Sequence, residues 1–72
     1  MEKTRWGIVG TGYISARFAD GLKHVAGAEA YAVASRDIET ARAFADRFGI
    51  AKAYGSYAEL AEDGDIRQHG VE

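Results

Sequence analysis

Short apolar runs alternate with helical stripes along this chain. Trp6-Gly7-Ile8-Val9 is apolar, stops at Gly10 and is too short for a helix, so it reads as a buried strand. Beyond Gly10-Thr11-Gly12, the residues Ile14, Phe18, Leu22 and Val25 recur at helical steps, with Arg17, Asp20 and Lys23 spread over the other faces. This predicts a first helix, ended by Gly27. Ala28 to Ala34 is nearly continuous in apolar character, as parallel strands covered on both faces tend to be. Asp37 is placed to cap a second helix, with Glu39 in its first turn. The stripe of that helix is Ile38, Ala41, Phe44, Ala45 and Phe48, and Gly49 closes it. Ile50 to Tyr54 forms a short third strand, and Ser56 with Glu59 makes a capping box for a third helix, which contains Leu60 and stops at Gly64. The tail from Asp65 to Glu72 shows neither strand nor helix pattern and is expected to be loose. The order β-α-β-α-β-α predicts an α/β fold with a three-stranded parallel sheet and right-handed crossovers.

Composition narrows this picture. A chain of 72 residues is one small domain at most, burying only about 60% of the surface that its unfolded form exposes. Apolar residues make up 47% of the chain, a globular value, but fourteen of them are alanine, so the core is expected to be thin. A net charge of −2 without a basic block argues against nucleic acid as a partner. The absence of cysteine excludes disulfides, thiolate catalysis and cysteine zinc sites. His24 and His69 lie far apart and lack metal-site spacing. The apolar runs are far too short for a membrane span, and the N-terminus has no signal-peptide core, so a cytoplasmic location without membrane contact is the expectation.

The sharpest chemical signal is Gly10-x-Gly12-x-x-Ser15 between a strand and a helix. A first glycine allows the tight turn, a second lets a pyrophosphate approach the backbone, and a third small residue lets the helix pack on the strand. Ser15 fills that third place, where glycine or alanine is commoner. Amides near Tyr13 and Ile14 then face the anion with the helix dipole behind them. The bland reading, glycines that only make a turn, is weaker because strand, helix and second strand stand in the required order.

The end of the second strand decides which dinucleotide is favoured. A carboxylate at this position accepts hydrogen bonds from the ribose 2′-OH of NAD. Here the position holds Ser35 and Arg36. Ser35 can donate a hydrogen bond, and Arg36 can pair with a 2′-phosphate and stack on adenine, which favours NADP over NAD. Asp37 could be the ribose acid if the strand ran longer, but it serves better as a helix cap. Tyr54, Tyr57, Phe44 and Phe48 read as packing residues. His24 is explained by its place near a helix C-terminus.

With these residues in hand, the chain resembles the glucose–fructose oxidoreductase/inositol dehydrogenase family (Gfo/Idh/MocA). The resemblance rests on Arg5-Trp6-Gly7-Ile8-Val9-Gly10-Thr11-Gly12-Tyr13-Ile14-Ser15, on Ala32-Val33-Ala34-Ser35-Arg36-Asp37, and on Ala53-Tyr54-Gly55-Ser56-Tyr57-Ala58-Glu59-Leu60. It implies the NAD(P)-binding Rossmann region of an oxidoreductase acting on sugars or polyols. It further implies that Gly10, Thr11, Gly12, Tyr13 and Ile14 surround the pyrophosphate and that Ser35 and Arg36 lie at the adenosine ribose. The resemblance runs from about Lys3 to Ile66.

Members of that family continue into an apolar fourth strand, a Glu-Lys-Pro segment with the catalytic lysine, and a substrate domain. Arg67-Gln68-His69-Gly70-Val71-Glu72 does not match that strand, and the chain has no proline. Lys3, Lys23 and Lys52 do not match the catalytic position, so no residue inherits the catalytic role. The expectation is therefore a partial Rossmann fold truncated before its fourth strand, with residues 3–66 as the domain and 67–72 as a loose tail. Such a chain is an excised piece or the product of a truncated gene, inactive alone, and its sugar or polyol substrate belongs to a full-length parent. Two alternatives remain. One is a non-catalytic fragment that docks through its open strand edge onto a partner or onto itself. The other is a different Rossmann-type enzyme using S-adenosylmethionine, for which Ser35 is a poor substitute for the expected acid.

Overall fold

The computed structural model describes residues 3–70. Seven elements follow in chain order: β1 (Thr4–Val9), α1 (Tyr13–Leu22), β2 (Ala28–Ala34), α2 (Ile38–Phe48), β3 (Lys52–Tyr54), α3 (Tyr57–Ala61) and β4 (Gln68–Gly70). All strands are parallel, in one sheet of order β3-β2-β1-β4.

The fourth strand corrects the expectation of a three-stranded sheet truncated before it. Gln68, His69 and Gly70 pair with Trp6, Gly7 and Ile8. The pairing uses main-chain groups, which carry no signature in side-chain pattern. The chain is brought there by Ile66, buried against Leu60, Ala32 and Ala34, and by the Arg67 N–H, which donates to the Arg5 carbonyl at 2.8 Å. Residues 68–70 of the expected loose tail are therefore a paired strand, and β1 is covered on both sides. Val71 and Glu72 lie outside the described residues.

Two small cores sandwich the sheet. On one face α1 and α2 pack with Ile8, Val33, Ala28 and Ile50. On the other, Leu60 of α3 and Ile66 close over Ala32 and Ala34. The faces of β2 do not alternate strictly. Its register against β1 shifts after the Trp6–Ala30 pair, so that Gly7 pairs with Ala32 and Tyr31 has no partner in β1. Ala30 and Val33 thus serve the first face, while Tyr31, Ala32 and Ala34 serve the second. A bulge of this kind bends a strand and re-aims its side chains.

The first helix differs from its predicted form. It ends at Leu22, and Gly27, at φ +87°, sits in the turn that precedes β2. The residues facing the sheet are Ser15, Ala19 and Leu22, whereas Ile14 and Val25 are 63% and 53% exposed. Small side chains at Ser15 and Ala19 let the helix approach the sheet closely, which leaves Ile14 and Phe18 of the bulkier stripe to the flank. The second and third helices keep their predicted caps. The Asp37 carboxylate accepts from the Glu39 N–H at 3.0 Å, Gly49 closes α2 in the left-handed conformation, and Ser56 Oγ accepts from the Glu59 N–H at 3.2 Å. The third helix stops at Ala61, three residues short of Gly64.

Candidate functional site

The glycine turn is fixed at both ends. Gly10 follows β1 with φ +101°, a conformation that costs an L-residue roughly 1–2 kcal/mol. Its N–H donates to the Ala34 carbonyl at 2.8 Å, which ties the turn to the end of β2. Thr11 is half-buried, and Gly12 is the N-cap of α1. A Cβ added at Gly12 would meet nothing within 4 Å, so the approach to the backbone there is open.

The N-terminus of α1 differs from those of its neighbours. The second and third helices each carry a capping side chain and a glutamate in the first turn; α1 has neither. The first N–H groups of a helix have no intrahelical acceptor. At α1 these donors, with the dipole behind them, remain available to an anion. Tyr13 is 72% exposed, and its hydroxyl accepts from Arg17 Nη1 at 3.0 Å. The side chains of Tyr13 and Ile14 both face outward, so what these residues offer a ligand is their backbone. Ser15 is buried, and its hydroxyl donates to the Val9 carbonyl at the long distance of 3.5 Å.

The sheet brings the second group of predicted residues beside this turn. Ser35 follows Ala34, and its N–H donates to the Tyr54 carbonyl at 3.1 Å. Its hydroxyl oxygen accepts from the Asp37 N–H at 3.3 Å. Asp37 is engaged in capping α2. Arg36 is exposed and has no ion pair or hydrogen bond among the described residues. A hollow of about 210 Å³ between Thr11 and α2 is lined by Thr40, Ala43, Phe44 and Arg47. Sequence reading did not select Thr40 or Arg47. Their seven-residue spacing puts both on one side of α2 next to Ala43, but nothing in the sequence sets that side beside Thr11. A larger hollow, about 560 Å³, lies at the opposite end of the sheet around Lys3, His24 and Val25 and contains none of the selected residues.

The crossovers explain why the turn lies in a crevice. The helices between β1 and β3 pack on one face and α3 packs on the other, so the winding reverses at β1. Open α/β sheets bind ligands at such a point, outside the carboxyl ends of the strands. No helix among the described residues is long and apolar enough to cross a membrane.

Residues 4–69 match the family model described as an oxidoreductase family with an NAD-binding Rossmann fold, Gfo/Idh/MocA. The chain belongs to the Gfo/Idh/MocA family. Trans-1,2-dihydrobenzene-1,2-diol dehydrogenase of Bos taurus is 48% identical over 64 residues, which are 86% of this chain and 19% of that protein. A 3-ketoreductase from Actinomadura kijaniata, solved with NADP, superimposes with a TM-score of 0.87 at 29% identity, covering 94% of this chain and 22% of that one. The myo-inositol dehydrogenase of Lactobacillus casei, solved with NAD(H) and myo-inositol, gives a TM-score of 0.83 at 31% identity, covering 96% and 21%. The chain thus spans about a fifth of the length of these Gfo/Idh/MocA relatives. It is NAD(P)-binding Rossmann sequence of that family, and the two solved relatives show both cofactors in use within one fold.

Proposed function

We propose that this chain is an NADP-selective nucleotide-binding region of a Gfo/Idh/MocA oxidoreductase that acts on sugars, polyols or related vicinal diols. Gly10, Thr11, Gly12 and the backbone of Tyr13 and Ile14 hold the pyrophosphate. Ser35 and Arg36 hold the 2′-phosphate. No catalytic residue is assigned among these 72 residues, and their chemistry is binding and orientation. The substrate class follows from the relatives, one of them named for a 1,2-diol and another solved with myo-inositol.

The observation that carries the cofactor preference is the engagement of Asp37. Its carboxylate accepts from the Glu39 N–H through Oδ1, so the acid nearest to the ribose position is oriented towards the start of α2. Arg36 beside it is an unpaired cation among the described residues, and a guanidinium pairs with phosphate through its planar fork.

Titration with 2′,5′-ADP and 5′-AMP tests this reading. The 2′-phosphorylated ligand should bind more tightly. A charge-assisted contact contributes about 1.5–3 kcal/mol, so Arg36→Ala should weaken 2′,5′-ADP by roughly tenfold to a hundredfold. Binding of 5′-AMP, which loses only the stacking contact with adenine, should weaken far less. Equal affinity for the two ligands in the unmodified chain refutes NADP selectivity.

A further inference from the structure

Arg36 sits in the short connection between β2 and α2, and both ends of that connection rest on one dipeptide, Tyr54-Gly55. On the near side, the Ser35 N–H donates to the Tyr54 carbonyl at 3.1 Å. On the far side, Ile38, the first residue of α2, lies against Gly55. A Cβ added at Gly55 would stand 3.2 Å from the Ile38 Cβ and 3.7 Å from its Cα and N. Between these supports the connection is closed by its own bonds. Ser35 Oγ accepts from the Asp37 N–H, and the Asp37 carboxylate accepts from the Glu39 N–H.

The dipeptide is itself anchored. Tyr54 pairs with Ala34 at the end of β3, and its hydroxyl donates to the Asp63 carboxylate. Backbone conformation does not call for glycine at position 55, because the positive-φ glycines among the described residues are Gly10, Gly27 and Gly49. The close approach of Ile38 does call for it. Carbon atoms rest about 3.5–4.0 Å apart, so a methyl at Gly55 would lift the start of α2 away from the β3–α3 connection.

We propose that Gly55 is a specificity-determining residue for the dinucleotide. With Tyr54 it forms the floor that sets the height of the segment from Ser35 to Ile38, and so places Ser35 Oγ and the root of Arg36 for the 2′-phosphate. This rests on the reading of those two residues as the 2′-phosphate site. Gly55 acts through them, as a positioning residue. Groups that bind one ligand together must be held to within about 0.5 Å, and Ser35, with its short side chain, cannot reach to make up a displacement.

Calorimetric titration of Gly55→Ala with 2′,5′-ADP and 5′-AMP tests the proposal. The preference for 2′,5′-ADP should fall by roughly threefold to tenfold, as expected for a displacement well short of 1 Å. Adding Ile38→Gly removes the Cβ that the new methyl meets and should restore the preference. Gly64→Ala, where a Cβ meets nothing within 4 Å, should keep it. Hydrogen exchange on the unmodified chain gives a measure that needs no variant to fold. At equal saturation, 2′,5′-ADP should slow exchange of the Ser35 amide, which donates to Tyr54, more than 5′-AMP does. Equal binding of the two ligands by the unmodified chain sinks the 2′-phosphate reading and the role of Gly55 with it. Three results overturn the role of Gly55 alone and leave that reading standing: full preference in a folded Gly55→Ala, no restoration by Ile38→Gly, or equal slowing of the Ser35 amide by both ligands.

Discussion

At Gly12 the proposed binding role can be tested apart from folding at a single residue. Its φ of −79° is open to any L-residue, and a Cβ there touches nothing within 4 Å. Alanine is a poorer N-cap, so Gly12→Ala should cost at most about 1 kcal/mol in urea denaturation. On the proposed reading the added methyl stands where the pyrophosphate approaches, and calorimetric titration should show loss of NADP binding. If Gly12→Ala binds as well as the unmodified chain, the turn is not the phosphate site. The placement of the glycine turn was legible in sequence because each position has a steric reason that involves only nearby backbone. Ser15 was legible for the same cause: a small third residue allows close packing, and it is 1% exposed. Thr40 and Arg47 were not, since their proximity to Thr11 depends on how α2 lies across the sheet.

Local chemistry made α2 readable end to end at the level of the element. Asp37, Glu39 and Gly49 state its limits without reference to the rest of the molecule. Asp37→Ala should therefore cost about 1 kcal/mol of stability, measured by chemical denaturation, and leave the preference for 2′,5′-ADP over 5′-AMP intact. If the preference changes instead, Asp37 acts at the ribose. The first helix was harder to read because hydrophobicity and burial part company in it. Ser15 and Ala19 are buried while Ile14 is exposed, so a stripe defined by bulky residues lies to one side of the buried face and shares only Leu22 with it. The last strand was invisible for a different reason. Pairing of residues 68–70 through main-chain bonds needs no apolar pattern, and Gln68-His69-Gly70 shows none.

Across the whole molecule, one polar cluster anchors the crossing from α3 to β4. The Asp63 carboxylate accepts from the Tyr54 hydroxyl and the Asp65 N–H and pairs with Lys52. The Tyr54 hydrogen bond, followed by that of the Asp65 amide, holds the Asp63 pKa below its ordinary 3.8. Asp63 protonation is then unfavourable in the folded state. Its stabilising contribution is present above the ordinary carboxylate range and is lost as pH falls through the depressed value. The Tyr54 pKa is raised, mainly by the same hydrogen bond, so its contribution is present below its ordinary 10.0 and is lost as pH rises through the raised value. Urea midpoints should accordingly hold between these limits and fall on both sides, and Asp63→Asn should flatten the acid side. An unaltered acid side in that variant would show that the cluster contributes nothing. The parallel topology around this crossing was readable from the alternation of elements, but its strand count was not.

The unmatched Tyr31 gives β2 the character of a slip joint. Thr4–Trp6 align with one stretch of that strand and Gly7–Val9 with another, so the two alignments are set independently. A residue gained or lost near the start of the chain can be absorbed at the joint before it disturbs the link between Gly10 and Ala34. Drift at the remote end of the sheet is thereby insulated from the end that carries the glycine turn.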